Sequence, residues 1–415
     1  MRFLPLILIF VLLASCSAPP APKGIIETLL QKRSPVVDEV MAHPETYRVQ
    51  IRYTQIDRDS LNQPHFTTHT FRVDAGEYFY PASTVKFPAA LMALEKLNTL
   101  SVNGLNTYTP MLTDSIESWQ IPAWKDSSAQ NGLPSIAHYI KKILLVSDND
   151  AFNRLYEFMG QGPLNEGLRA KGYDLRLMHR LERALSPEQN RITNPIRFVS
   201  GEKMVYAQPQ VQNETPIATS APILLGKGEM IEGKLSPQPK DFAGKNYFPL
   251  AAQQEMLKAV LFPESVAPEQ RFNLTKEDYT FLYRHMSMLP RESEWPRYDT
   301  TTYYDSYVKF LMFGDSKQRM PEHIRIFNKV GDAYGFLIDN AYIVDTGKGV
   351  EFLLAAIIYV NEDGIFNDDL YEYERIGFPF LGELGRAVYE YECIRPRAYR
   401  PDVSRLVPWK AQPGE

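Results

Sequence analysis

The sequence predicts an α+β fold: a layer of strands and helices with a mostly helical domain inserted into it. Three observations carry this reading. Strand-like runs gather towards the two ends, "YRVQIRYTQI" and "HFTTHTFRV" early, "HIRIFNKV", "FLIDNAYIV" and "EFLLAAIIYV" late. From about Thr107 to Pro195 the chain reads as helices and loops without strand alternation. With 415 residues, 44% hydrophobic and 23% charged, it is long enough to bury a sizeable core. Strands separated by a helical insert belong to the α+β class, and the cleft between two such parts is a favoured place for an active site.

The first residues, "MRFLPLILIFVLLASC", have the order of a secretory signal: Arg2, an apolar run from about Phe3 to Leu13, then small residues. The run is shorter than the ~20 residues that span a bilayer. "LASC" resembles the lipobox of bacterial lipoproteins, which implies a lipid on Cys16 and a cell-envelope address, periplasmic or at the outer membrane. An ordinary cleaved signal with a chance cysteine is the alternative. The expected organisation is a signal over 1–16, a stiff tether "SAPPAPKG" over 17–24, a catalytic domain over 25–400 and a polar tail over 401–415. Inside the domain, a helical subdomain is expected at about 100–235 and additional residues within about 198–322.

A helix is predicted from about Ile25 to Met41, followed by two strands around a polar turn containing Pro64. Another helix follows Ser83. The stretch from Phe198 to Glu322 is mixed, with a proline-rich loop "EGKLSPQPKDFAGKNYFP" and helical runs near "AAQQEMLKAVLF" and "KEDYTFLYRHMSML". The three late strands precede a helix around "LGELGRAVYEYE".

Composition narrows the function classes. A net charge of −5 argues against broad nucleic-acid binding. The two cysteines are Cys16 and Cys393, so lipidation of the first leaves the second without a disulfide partner. The seven histidines are scattered. The closest pair, His65 and His69, falls on one face of a predicted strand but too far apart to share a metal. Neither metal nor cofactor is expected.

"FYPASTVKFPAALMALEKL" places Ser83 one helical turn ahead of Lys86, where an apolar helix begins. Serine followed three residues later by lysine is weak alone, since it recurs at Ser200 and Ser306. It gains meaning from Ser147-Asp148-Asn149 and from Lys329-Val330-Gly331 after a strand-like run. In that order and setting the three motifs resemble those of the class A β-lactamase family, within the penicillin-recognising serine enzymes. "HRLERALSPEQNRITNP" is similar to that family's Ω-loop, with Glu182 at the position of its acid/base glutamate. Asp339, Asn340 and Ala341 fit the paired strand after the lysine motif. The resemblance runs from about Ile25 to Glu392 and is weak between Phe198 and Glu322. It implies an antiparallel sheet flanked by helices with an inserted all-helical domain.

A serine hydroxyl needs a base within hydrogen-bond reach. Residues three apart on a helix share a face, so Lys86 can serve Ser83 if burial or a cation such as Lys329 lowers its pKa. The resemblance implies that Ser147 passes a proton to the leaving nitrogen and that Asn149 holds Lys86 and contacts a substrate amide. The N–H groups of Ser83 and Asp332, beside Gly331, would form an oxyanion hole. Glu182 would position the water that cleaves the acyl-enzyme. The implied substrate is a small-molecule amide, a β-lactam or a peptidoglycan-related one.

Two departures bear on substrate. Val330 stands where the family prefers threonine or serine, removing a hydroxyl that helps bind a substrate carboxylate. Ser186 replaces the asparagine that helps hold the hydrolytic water. Arg325 is the nearest arginine in sequence for carboxylate binding. The leading expectation is therefore an exported serine hydrolase working through a Ser83 acyl-enzyme. The alternatives are a D,D-peptidase-like enzyme on the same fold and a binding lipoprotein that keeps the fold without the chemistry.

Overall fold

Five antiparallel strands organise the molecule: β1 (Gln50–Arg58), β2 (Pro64–Phe71), β3 (Ile324–Ala333), β4 (Phe336–Asp345) and β5 (Val350–Tyr359). The computed structural model describes residues 24–406. The signal segment with Cys16, the tether through residue 23 and the last nine residues of the tail lie outside the described residues. Strand order in the sheet is β3-β4-β5-β1-β2, so the two chain ends of the fold meet where β5 pairs with β1, with Tyr53 opposite Leu354.

Strand alternation sends neighbouring residues of β4 to opposite faces. Tyr342 and Val344 enter the larger core, with Phe327, Leu353 and the helices α3 (Lys86–Leu100), α4 (Ile136–Val146), α5 (Asn149–Met159), α6 (Gln161–Ala170), α7 (Leu250–Leu261) and α8 (Lys276–Ser287). Leu337, Ala341 and Ile343 enter a second core, with α1 (Ile25–Leu30), α2 (Pro35–Ala42) and α9 (Phe378–Ile394). Coverage on both faces explains why β3 to β5 read as continuous apolar runs. Helix α3 is buried along most of its length, from Lys86 through Leu94 and again at Leu97.

Several local expectations change. The helix predicted over Ile25–Met41 is two helices. Pro35 cannot continue a helix but suits its first turn, and the Ser34 hydroxyl caps the second helix by accepting from Val37 N–H at 3.3 Å. Pro64 begins β2 rather than sitting in the turn, which an edge strand tolerates. Between Thr107 and Pro195 one short strand does occur, Met111–Thr113, paired with Ile196–Ser200. Three residues are too few to show alternation.

The stretch with weak family likeness is partly β-structure. Leu224–Leu225 pairs with Lys240–Asp241, and Gly228–Ile231 pairs with Lys234–Ser236 and, in parallel, with Ile365–Phe366. Phe242 of this insert packs against Tyr80, Tyr334 and Phe366, with ring centroids 5.2–6.1 Å apart. The insert thus backs Tyr80 and Tyr334, two residues that line the cavity holding Ser83.

Candidate active site

Ser83 lies in a tight turn, Ala82–Val85, that runs directly into α3. Ala82 holds φ 46°, a left-handed conformation unfavourable for a residue with a Cβ. This kink leaves Ser83 partly accessible while Ala82, Thr84, Val85 and Lys86 are buried. Edge strand β3 backs the turn closely. A Cβ on Gly331 would lie 2.7 Å from the Pro81 carbonyl oxygen and 3.0 Å from Ser83 N, so only glycine lets the strand approach the nucleophile's backbone.

Lys86 is fully buried, and its Nζ donates to both the backbone carbonyl and the hydroxyl of Ser147, the latter at 3.2 Å. Lys329 is buried on β3 and donates to the same hydroxyl at 2.8 Å and to the Val330 carbonyl at 2.8 Å. Burial pushes Lys86 down to about 7, against the pull of Asp332, Asp148 and Glu182. Burial, with Lys86 as a cationic neighbour, pushes Lys329 well below its ordinary value. With both lone-pair directions of the Ser147 hydroxyl facing lysines, its own proton is free to be donated into the cleft.

The Ser147-Asp148-Asn149 loop is a minimal link between helices. Ser147 ends α4 at φ 59°, ψ 37°, and Asp148 starts α5 by accepting from Ala151 N–H at 2.7 Å. Lys142 ties the loop down through Asp126 and Asp148, each at 3.2 Å. Asn149 opens α5 and faces the cleft; its side chain makes no hydrogen bond among the described residues. The expected hold of Asn149 on Lys86 is therefore replaced by the two bonds from Lys86 to Ser147.

Glu182 stands at φ 51° in an exposed loop, facing the same cavity as Ser83. Three buried asparagines fix that loop. Asn153 of α5 donates to Leu181 O and accepts from Leu181 N–H, both at 2.9 Å. Asn190 accepts from Arg180 N–H at 2.9 Å, and Asn246 from Met178 N–H at 2.7 Å. Arg180 is buried beside Glu157, 3.2 Å away, and so is not a partner of Glu182. Ser186 caps the turn Pro187–Asn190 with Gln189 instead of facing the cleft. Arg325 is held by both carboxylate oxygens of Glu292 at 2.8 Å and does not reach the site. These asparagines carry no sequence motif; only their positions in space give them away.

The cleft has two lobes that share Ser83, Asn149, Glu182 and Asp332. One, about 420 Å³, is walled by Tyr80, Tyr334, Tyr371 and Tyr373. The other, about 380 Å³, lies past Ser147 and is walled by Val330, Tyr304, Tyr307, Phe310 and Phe378. The carboxyl of Asp332 is pushed up by the protein around it, against Lys329 and Lys86; water still reaches it from the cleft, which tempers that push. Val330 presents only an apolar surface to the second lobe. Among the described residues no cluster of metal-ligating side chains occurs.

Residues 37–215, which contain Ser83, Lys86, Ser147 and Glu182, match the model of the beta-lactamase enzyme family. Over that segment the chain is similar to the beta-lactamase enzyme family. The chain is also similar to solved beta-lactamase structures. That from Xanthomonas campestris is 16% identical, with 88% of this chain and 98% of that one covered and a TM-score of 0.45. Those from Sphaerobacter thermophilus and Desulfarculus baarsii are 13% and 14% identical, cover 89% and 88% of this chain and 98% and 96% of theirs, and also have TM-scores of 0.45. Comparison with curated proteins finds no match.

Proposed function

We propose that this chain, whose residues 37–215 match the beta-lactamase family, cleaves an amide through a Ser83 acyl-enzyme, and that the acyl-enzyme is hydrolysed. The observation that carries this is the arrangement around Ser147: two buried lysines, Lys86 and Lys329, converge on one hydroxyl beside Ser83. Lys86, lowered to about 7, takes the Ser83 proton as the hydroxyl attacks the acyl carbon. Ser147 relays a proton to the leaving nitrogen as the C–N bond breaks. Backbone N–H groups of Ser83 and Asp332 stabilise the oxyanion. Glu182, which faces the same cavity as Ser83, activates the water that releases the acid. Export and lipidation at Cys16 belong to the same proposal, on the strength of the N-terminal sequence.

The experiment is intact-protein mass after mixing the full chain with a penicillin and a chromogenic cephalosporin. An adduct mapped to Ser83 is expected, lost in Ser83→Ala and kept in Ser200→Ala. An adduct that survives Ser83→Ala would end the assignment. In Glu182→Gln the adduct should persist, with deacylation slowed by about 10²-fold or more. Unchanged turnover in that variant removes Glu182 from the mechanism; an adduct that already persists in the native chain favours the D,D-peptidase-like reading.

A further inference from the structure

The lobe past Ser147 receives the leaving group, because Ser147 delivers the proton there. Its lining is unusual for an anion. Val330 offers no hydroxyl, and no lysine or arginine side chain lines either lobe. Lys86 and Lys329 lie beneath the floor with their Nζ atoms turned to Ser147. Arg325, Arg183 and Arg375 are spent on Glu292, Asp150 and Glu362. Four carboxylates instead face the cavity: Glu182, Asp332, Asp369 and Glu374. None of the four makes an ion pair or side-chain hydrogen bond among the described residues.

Around Glu374 the wall is aromatic. Tyr304 and Tyr307 meet edge to face at 5.9 Å, and Phe310 and Phe378 at 4.9 Å. Aromatic rings and an unpaired carboxylate about one cavity favour a cation over a carboxylate. Lys317 already lies 5.3 Å from the Tyr304 ring without entering the lining.

We propose that the leaving group preferred by this lobe carries an ammonium charge, held by Glu374 and the rings of Tyr304, Tyr307 and Phe378, and that substrates whose leaving groups bear a carboxylate instead acylate Ser83 more slowly. The inference rests on the Ser83 acyl-enzyme reading. The substrate class is then an acylated amine whose amine half bears a second, cationic nitrogen. Ser83 Oγ bonds to the acyl carbon, the C–N bond breaks, and the amine leaves with the proton from Ser147. Water then hydrolyses the ester, returning Ser83 and a carboxylic acid.

Three thioesters with one phenylacetylglycyl acyl group and different leaving thiols test this on the full chain at low ionic strength. The thiols are thiocholine, the neutral 2-methoxyethanethiol and thioglycolate. Thiol release gives kcat/KM, and mass gives the Ser83 adduct. The thiocholine ester is expected to exceed the thioglycolate ester at least tenfold. In Glu374→Gln, at an exposed site, the cation-to-neutral ratio should fall at least threefold; added salt should lower it in the native chain. A thioglycolate ester equal to or better than thiocholine, or a ratio unmoved by Glu374→Gln, overturns the inference while leaving the Ser83 mechanism standing. If none of the three acylates Ser83, the mechanism itself is overturned, and the inference with it.

Discussion

At the scale of single residues, the site depends on a lysine placed where lysine is costly. Lys86 is buried and lowered to about 7 by that burial. Its neutral form, the one able to accept the Ser83 proton, grows as pH rises through about 7, so the acylation rate should rise across that range. Pre-steady-state acylation measured from pH 5 to 9 would show it; a flat profile excludes Lys86 as the base. The same shift acts on stability. Between about pH 7 and the unfolded value near 10.5 the unfolded chain binds a proton that folded Lys86 lacks. Stability therefore rises with pH over this window, and full destabilisation is present below it. Lys329 is shifted the same way. In Lys86→Met the rise in denaturation midpoint from pH 7 to 9 should shrink, before buried tyrosines begin to titrate.

At the scale of elements, function is set by short links held from behind. Ser147 is a helix-ending residue and Asp148 a helix-starting one, so one serine and one cap place Asn149 at the cleft. Ala82 and Gly331 together let a strand edge meet a turn. Asn153 clamps Leu181 through both its amide and its carbonyl, next to Glu182. Removing that clamp in Asn153→Ala should slow deacylation tenfold or more while changing acylation less than threefold, since Ser83 and Lys86 stand on a different element. Burst amplitude against steady-state rate separates the two. Equal losses in both phases would mean that Asn153 supports the fold at large rather than Glu182.

At the scale of the whole molecule, the helical part and the Glu182 loop are joined by buried charge. Glu157 on α5 lies 3.2 Å from Arg154 and 3.2 Å from Arg180, all three buried. Breaking a buried pair strands the remaining charge, at about 3–5 kcal/mol. Glu157→Ala should cost about that much in urea unfolding, and Glu157→Gln less. A cost near that of a surface substitution would show the loop to be held by its asparagines alone. The opposite end of the sheet is closed similarly: Glu392 on α9, buried, accepts from Tyr53 and faces Arg395 and Arg397, tying the C-terminal helix to β1.

Much of this was legible in the sequence because it is local. The three late strands, α7, α8 and α9 and the turn-to-helix step at Ser83 follow from periodicity and from residues adjacent in the chain. The motif residues Ser83, Lys86, Ser147, Asn149, Glu182 and Lys329 were likewise identifiable, since each belongs to a short pattern. The break at Pro35 was also written there and was overridden by apolar spacing on either side of it.

What the sequence by itself determined is the order of chemistry-bearing motifs and the elements that carry them, because propensity, capping and alternation act over a few residues. Only the tertiary structure decided which hydroxyl the lysines share, that Arg325 is bound to Glu292, and that Glu374, Tyr304 and Phe378 meet at one cavity. Those contacts join residues tens to hundreds of positions apart. They are fixed by the packing of α3 and the sheet edge against each other, and no local pattern records them.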